Sequence, residues 1–236
     1  MEALSDPPPT HNVQLNTVST VDAAASVLRE LILDGELEPG ARLREAQFAE
    51  RLGIARHSFR AATQILISEG MLRREPHRGV QVTVLTAEDI VDTFRLRAAL
   101  ETEAARLVIA AKRVPEGARQ AADDLSAVPD GAPWRQVVEP DMRFHRAVIE
   151  AAESPRISRA YAGVQAEILL CMVQLRPHYE RPSQVAAEHT ELLAAIVDAD
   201  PVRADKLFRR HLTDAVQNLS NALAAGERQN PEEVTL

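Results

Sequence analysis

Five of the nine glycines in this 236-residue chain fall between residues 35 and 79, and they decide what that stretch can become. Apolar residues recur with helical spacing from about Ser19 to Asp34. GELEPG then interrupts them with Gly35, Pro39 and Gly40. A short helix fits Arg44–Leu52 and is stopped by Gly53, and a second fits Arg56–Glu69 and is closed by Gly70. In MLRREPHRGVQVTVL, the stretches Met71–Arg74 and Val80–Leu85 flank a turn holding Pro76 and Gly79, which reads as a β-hairpin. A segment punctuated this closely has no room for a long helix or a large sheet. It has room for helix, helix, tight turn, helix and hairpin, the layout of a winged helix-turn-helix.

Charge is distributed to match. The whole chain has 27 Lys and Arg against 35 Asp and Glu, a net charge of −8 that argues against nucleic acid as a partner. Between Ala55 and Val80, however, five arginines face only Glu69 and Glu75, with His57 and His77 besides. Residues 18–54 carry four basic and seven acidic side chains, and residues 86–236 carry 18 and 24. The helix from Arg56 places Arg56, His57, Arg60 and Gln64 on one face and Phe59, Ala62 and Leu66 on the other. Such a helix fits the DNA major groove, where arginine pairs with guanine or neutralises phosphate. The candidate DNA-binding residues are Arg56, His57, Ser58 and Arg60 on that helix, with His77, Arg78 and Gly79 at the hairpin tip. An exposed helix with arginines on its solvated face is the plainer alternative. The hairpin and the glycine spacing favour DNA.

After Thr86, which forms a capping-box start with Asp89, the whole pattern is helical. Segments near 87–113, 116–127, 133–153, 156–176, 184–199 and 202–224 are separated by proline or short polar breaks. The expected fold is mainly α, a winged helix-turn-helix over residues 18–85 followed by an antiparallel all-α bundle over 86–226. Residues 1–17, with a Pro triplet and no period, read as a disordered tail, and 227–236 as a flexible one. No apolar run approaches the roughly 18 residues of a membrane span, and no secretory signal is expected at the N-terminus. A single cysteine, Cys171 in EILLCMVQL, suits a reducing cytoplasm and reads as a buried, inert thiol.

Inside the bundle, polar ligands occupy apolar seams. In DMRFH, Asp141 and His145 share a helix face with Phe144, Val148 and Ala152, while Arg143 and Arg146 point the other way. His189 shares a face with Val185, Leu192, Leu193 and Ile196, and His211 with Leu207, Phe208 and Ala215. One such histidine is most often a hydrogen-bonded core residue. Four ligand-type side chains on three helices would each cost about 1–3 kcal/mol if left unpaired, so they are expected to meet. An Asp with three neutral imidazoles suits Zn²⁺, Ni²⁺ or another borderline divalent ion and leaves coordination positions open.

The residues from ILDGELEPG through RLGIARHSFRAATQILISEG to the hairpin resemble the N-terminal domain of GntR-type bacterial transcription regulators. The family's serine, threonine, proline and valine on the recognition helix are replaced by Ala55, His57, Ser58 and Phe59, and its glutamate and leucine by Ala61 and Thr63. Arg56, Arg60 and Ala62 remain. Ala55 cannot cap the helix with a side-chain oxygen. The second half resembles the FCD domain, the all-helical effector domain of the FadR branch of this family. The resemblance rests on D-x-x-x-H, on the EH-x-x-L motif at His189 and on a histidine early in the last helix. It implies that Asp141, His145, His189 and His211 bind metal. Ser154 stands near where the family commonly has an asparagine. RLRAALE resembles the signature at the head of that domain. Arg97 and Glu101 read as a buried pair; in the alternative reading Arg97 grips an effector carboxylate, with Asn218 as a weaker pocket candidate.

The leading expectation is a cytoplasmic, homodimeric regulator, not an enzyme, bound to a pseudo-palindromic double-stranded operator. The family resemblance favours a repressor relieved by a small organic-acid effector at the metal. Three alternatives stand beside it: a metal-dependent hydrolase using the three histidines and the aspartate, a regulator with a purely structural metal, and a regulator for which the metal itself is the signal.

Overall fold

A computed structural model describes residues 19–76, 79–175 and 181–229, with the backbone alone for 174–175 and 222–229. The tail at 1–17 and the wing-tip residues His77 and Arg78 lie outside the described residues, as do 176–180 and 230–236.

The head is built from α1 (Thr20–Leu33), β1 (Arg42–Leu43), α2 (Glu45–Arg51), α3 (Arg56–Ser68), β2 (Leu72–Glu75) and β3 (Gly79–Val82). The glycines act where the sequence put them. Gly53 and Gly70 take φ of 65° and 86° directly after α2 and α3, a left-handed conformation that glycine enters without a Cβ clash. The hairpin is antiparallel, with Arg73 opposite Gln81 and Arg74 opposite Val80. One strand escaped the sequence pattern. β1 pairs antiparallel with β3, giving the order β1-β3-β2, and two residues are too few to show a period of two. Leu28, Ile32, Phe59, Leu66, Leu72 and Val82 form the buried centre of the head, and Phe48 stacks on Phe59 at 5.9 Å. Arg29 holds Glu69 with two hydrogen bonds of 2.9 and 3.0 Å, tying α1 to the end of the recognition helix.

The second half is all helix among the described residues: α4 (Ala87–Ala110), α5 (Glu116–Ser126), α6 (Arg135–Ala151), α7 (Pro155–Leu175), α8 (Pro182–Val197) and α9 (Pro201–Gln229). Thr86 and Asp89 make the reciprocal capping box at the start of α4. α4, α6 and α8 end on Lys112, Glu153 and Ala199 at φ of 53°, 50° and 54°, left-handed residues without glycine. α9 runs through Gly226 to Gln229, further than the sequence pattern suggested. An isolated glycine among Ala, Glu and Arg costs a helix only about 1 kcal/mol. Pro140 lies inside α6 and withholds one backbone N–H from the helix ladder, immediately before Asp141. Trp134, at the N-terminus of α6, donates from Nε1 to the Met172 carbonyl at 2.7 Å and so fixes α6 against α7. A continuous core runs from Leu28 and Phe59 through Leu85, Ile90 and Phe94 into the bundle.

At the N-terminus of α3, Ala55 leaves the helix without a side-chain cap. Ala55→Ser is expected to stabilise the protein by about 1 kcal/mol, read as a raised midpoint in denaturant at an unchanged slope. An unaltered midpoint would show that the N-terminal amides of α3 gain nothing from a hydroxyl.

Candidate metal centre and nucleic-acid interface

Arg56, His57 and Arg60 stand exposed on α3, and Ser58 is half-buried between them. Phe59, Ala62, Thr63 and Leu66 are buried on the other side, as the face analysis required. Thr63 fills a core position by turning its hydroxyl back to the Arg60 carbonyl at 3.0 Å. Arg60 Nε lies 3.5 Å from Glu45 Oε1, between exposed side chains. Gly79 opens β3 with φ of 84°. The sequence reading missed a further basic row. Arg42, Gln81 and Arg73 are neighbours across β1, β3 and β2, so their side chains share the face of the sheet opposite Leu43, Val80 and Leu72. Arg42 and Arg73 are exposed there. Only the pairing of β1 reveals the row.

The bundle brings Asp141 and His145 from α6, His189 from α8 and His211 from α9 together. One ligand atom from each lies within 4.8 Å of all the others. All four are buried, His145 and His189 completely. His189 Nε2 is 3.1 Å from His145 Nε2 and 3.1 Å from Asp141 Oδ1. Donor atoms that share one ion at about 2.0–2.1 Å are separated by roughly 3.0–3.4 Å, so the two spacings at His189 fit a single small dication, and the wider ones in the group, up to 4.8 Å, would have to close around it. Phe144 packs edge-on against the His145 and His189 rings at 5.3 and 4.8 Å, closing the apolar side of the cluster.

Each imidazole is engaged on its outer nitrogen. His189 Nδ1–H donates to the Val185 carbonyl at 2.7 Å, and His211 Nδ1–H to Glu188 Oε2 at 2.7 Å. His145 Nδ1 lies 2.7 Å from Glu101 Oε2, a close electrostatic contact whose N–H is not aligned as a hydrogen bond. Outer partners of this kind fix the tautomer that leaves Nε2 free to ligate. Burial pushes the His145 imidazole down to about 4, against the pull of Glu101, so it is neutral at ordinary pH. Burial also works against protonation of His189. The hydrogen bond and charge of Asp141 outweigh it, and the proton affinity of His189 is raised. Burial would raise the Asp141 carboxyl, but His189 and His145 hold it well below the usual range.

Arg97 and Glu101 form the buried pair that the sequence allowed, with Nε 2.7 Å from Oε1 and almost no exposure of either side chain. Burial alone would raise Glu101, but Arg97 and His145 hold it down to about 2. Tyr161, which the sequence reading did not single out, faces the same carboxylate from α7, and burial followed by Glu101 raises its phenol. Arg97 Nη2, Asp141 Oδ2 and the Tyr161 hydroxyl are buried without a well-formed hydrogen bond. Asn218 is half-buried two turns beyond His211 on α9, outside the four-ligand cluster. Cys171 is buried, its thiol pushed up to about 12 by burial, as an inert core thiol should be.

On its other side α6 faces the head. Val138, Glu139, Met142, Arg143 and Arg146 line a cavity of about 950 Å³ whose far wall is Arg29, Glu30 and Leu33 of α1 with Glu69 and Met71. Arg135 reaches Asp34 across it at 3.7 Å. No described helix is long and apolar enough to cross a membrane.

Breaking the buried pair supplies a test of its structural role. Glu101→Ala strands the Arg97 guanidinium and is expected to cost about 3–5 kcal/mol by denaturant unfolding, whereas Arg97→Met with Glu101→Leu should recover most of that loss. A single variant as stable as the parent would mean that water reaches Arg97.

Comparison with known proteins agrees with this architecture. Residues 20–82 match "Bacterial regulatory proteins, gntR family" and residues 92–214 match the FCD domain. A probable D-xylose utilization operon transcriptional repressor of Paenarthrobacter nicotinovorans is 29% identical over 199 residues, covering 82% of this chain and 87% of that protein. The gluconate operon transcriptional repressor of Bacillus subtilis is 27% identical over 198 residues, covering 79% of each. The crystal structure of a GntR transcriptional regulator from Rhodococcus sp. RHA1 superposes with a TM-score of 0.72 at 28% identity, covering 87% of this chain and 99% of that one.

Proposed function

We propose that this chain, which belongs to the GntR family of bacterial regulatory proteins with an FCD domain and is a DNA-binding transcription regulator rather than an enzyme, acts as a repressor released by a small organic acid. The acid binds at a divalent metal held by Asp141, His145, His189 and His211. The observation that carries this reading is the convergence of Asp141 and the three histidines, one ligand atom from each within 4.8 Å of all the others, with the outer nitrogens engaged elsewhere. Three nitrogens and one carboxylate suit Zn²⁺ or Ni²⁺. The ion, when bound, offers an acid's carboxylate an open coordination position. The unsatisfied Arg97 Nη2 supports a contact to that carboxylate, beside the structural role of Arg97. Asn218 remains a secondary candidate for the rest of the ligand.

Repression follows the naming of two relatives as operon repressors. Arg56, His57, Ser58 and Arg60 read the major groove, and His77, Arg78 and Gly79 approach the duplex from the wing. A homodimer with its recognition helices one helical turn apart requires a pseudo-palindromic operator, and such a regulator works in the cytoplasm with its DNA. α6 couples the two sites, because it carries Asp141 and His145 on one face and borders the head on the other. An acid that favours one domain geometry by a typical 1–3 kcal/mol shifts DNA affinity by about 5- to 150-fold. The burial of all four ligands also suits an ion with a structural role only.

Arg56→Ala or Arg60→Ala is expected to weaken operator binding by about 1–3 kcal/mol in a gel-shift titration at physiological salt while the melting temperature stays put. Parent-like affinity in both variants would remove α3 from the interface.

A thermal-shift screen of metal-loaded protein against organic acids separates the two roles of the ion. Acids that stabilise the parent, lose their effect after chelation and do nothing for His189→Ala establish the effector site. Metal binding without any chelation-sensitive acid leaves the structural ion, and a parent that takes up no divalent metal refutes the centre.

A further inference from the structure

We infer that Glu188 is a positioning residue of the metal centre, holding the His211 ring on the one side where the cluster approaches solvent; the inference rests on the metal reading above. The three imidazoles have unequal outer partners. His189 is tied to a main-chain carbonyl one turn back on its own helix, which no side-chain change removes. His145 faces Glu101, itself locked to Arg97 in full burial. His211 depends on Glu188, which reaches from α8 to α9 with its side chain 35% exposed. His211 is also the most open of the three histidines, at 7% against 0% for the other two. A small cavity of about 130 Å³ lies directly outside it, lined by Glu188, Leu192, Leu207, Arg210, His211 and Asp214. Arg210 bridges the same two helices by pairing with Glu191 at 3.2 Å.

This arrangement gives Glu188 two effects on one ligand. Its carboxylate accepts from Nδ1–H, which fixes the tautomer with a free Nε2 and aims that atom at Asp141, His145 and His189. Its negative charge also makes the imidazole a stronger donor. Among the described residues Glu188 is the partner that holds His211 at Nδ1, so without it the ring is free to turn toward the cavity and the centre loses its outermost ligand. Asp214 lines the same cavity and carries the same charge, but no contact links it to the ring. It therefore separates orientation from simple attraction of a cation.

The test measures Zn²⁺ affinity of the full-length protein by competition with a chromophoric chelator, together with the visible absorption of Co²⁺-loaded protein. Glu188→Ala is expected to lower Zn²⁺ affinity by about 10- to 100-fold and to weaken the Co²⁺ bands. Glu188→Gln, whose amide oxygen still accepts from Nδ1–H, is expected to recover most of both. Asp214→Asn should match the parent. Zn²⁺ affinity of Glu188→Ala within twofold of the parent overturns the inference, and so does a Gln variant as weak as the Ala variant or an Asp214→Asn loss of equal size. Glu188 lies on the half-exposed side of α8, and alanine favours the helix, so helical circular dichroism confirms that these variants are folded. If the parent itself binds no Zn²⁺, the metal reading fails; if the parent binds and Glu188→Ala is unchanged, only the role of Glu188 fails.

Discussion

The bundle is organised around a carboxylate that would be intolerable alone. Glu101 lies wholly inside the protein, and it stays ionised because Arg97 on the preceding turn pairs with it at 2.7 Å. An unpaired buried charge costs several kcal/mol, so the pair dictates what surrounds it. His145 Nδ1 lies 2.7 Å from the second carboxylate oxygen, and Tyr161 on α7 feels the same charge, which raises its phenol. Four helices are thereby registered against α4: α6 through His145, α7 through Tyr161, and α8 and α9 through the histidines that meet His145. Apolar packing alone would tolerate sliding of α6 along α4. The close approach of His145 Nδ1 to Glu101 Oε2 at 2.7 Å opposes such sliding, because a shift of one residue would take the imidazole away from the buried carboxylate.

The same residues set the electrostatic balance of the centre. Arg97 brings one positive charge against the negative charges of Glu101 and Asp141, with the half-buried Glu188 adding a third. With neutral imidazoles the surroundings are negative, and Asp141 in particular raises the proton affinity of His189 despite its burial. A dication would neutralise these four side chains completely, so metal and proton compete for the same place and metal binding releases protons. An anion reaching a metal-loaded centre would meet a site whose own charges already cancel. Its discrimination then depends on coordination and on donors such as Arg97 Nη2 rather than on net attraction.

How much of this could be read from the chain depended on the range of the signal. The head was legible because its constraints are local: Gly53 and Gly70 mark helix ends within a few residues of the apolar periods they close. The four metal-cluster side chains were legible because polar groups stood at positions whose neighbours were apolar, and the family resemblance joined them. Contacts set by tertiary packing were hidden. β1 is two residues long and exists only through its pairing with β3. Lys112, Glu153 and Ala199 end helices in a conformation that sequence normally flags with glycine. Trp134 finds its acceptor 38 residues away, and Glu188 was invisible as a partner of His211 until α8 and α9 were placed side by side.

The four-residue cluster and the head lie on opposite sides of one helix, α6. α6 is amphipathic in an unusual sense, with ligands on one face and, on the other, residues that line the cavity against α1. Its ends are held differently. Trp134 anchors the N-terminus to α7, and Arg135 beside it touches Asp34 of the head, whereas the C-terminal half carries His145 in the ionic hub. Pro140 interrupts the backbone ladder between these two regions. A helix weakened at that point can adjust its ligand-bearing turn without dragging the anchored end, or tilt as a unit only by remaking the Asp34–Arg135 contact. The cavity supplies the space for either movement, since a fully packed boundary would resist both. The boundary between bundle and head thus contains a cavity lined by α1, α6 and α7, whereas Asp141, His145, His189 and His211 sit in the buried core on the far face of α6.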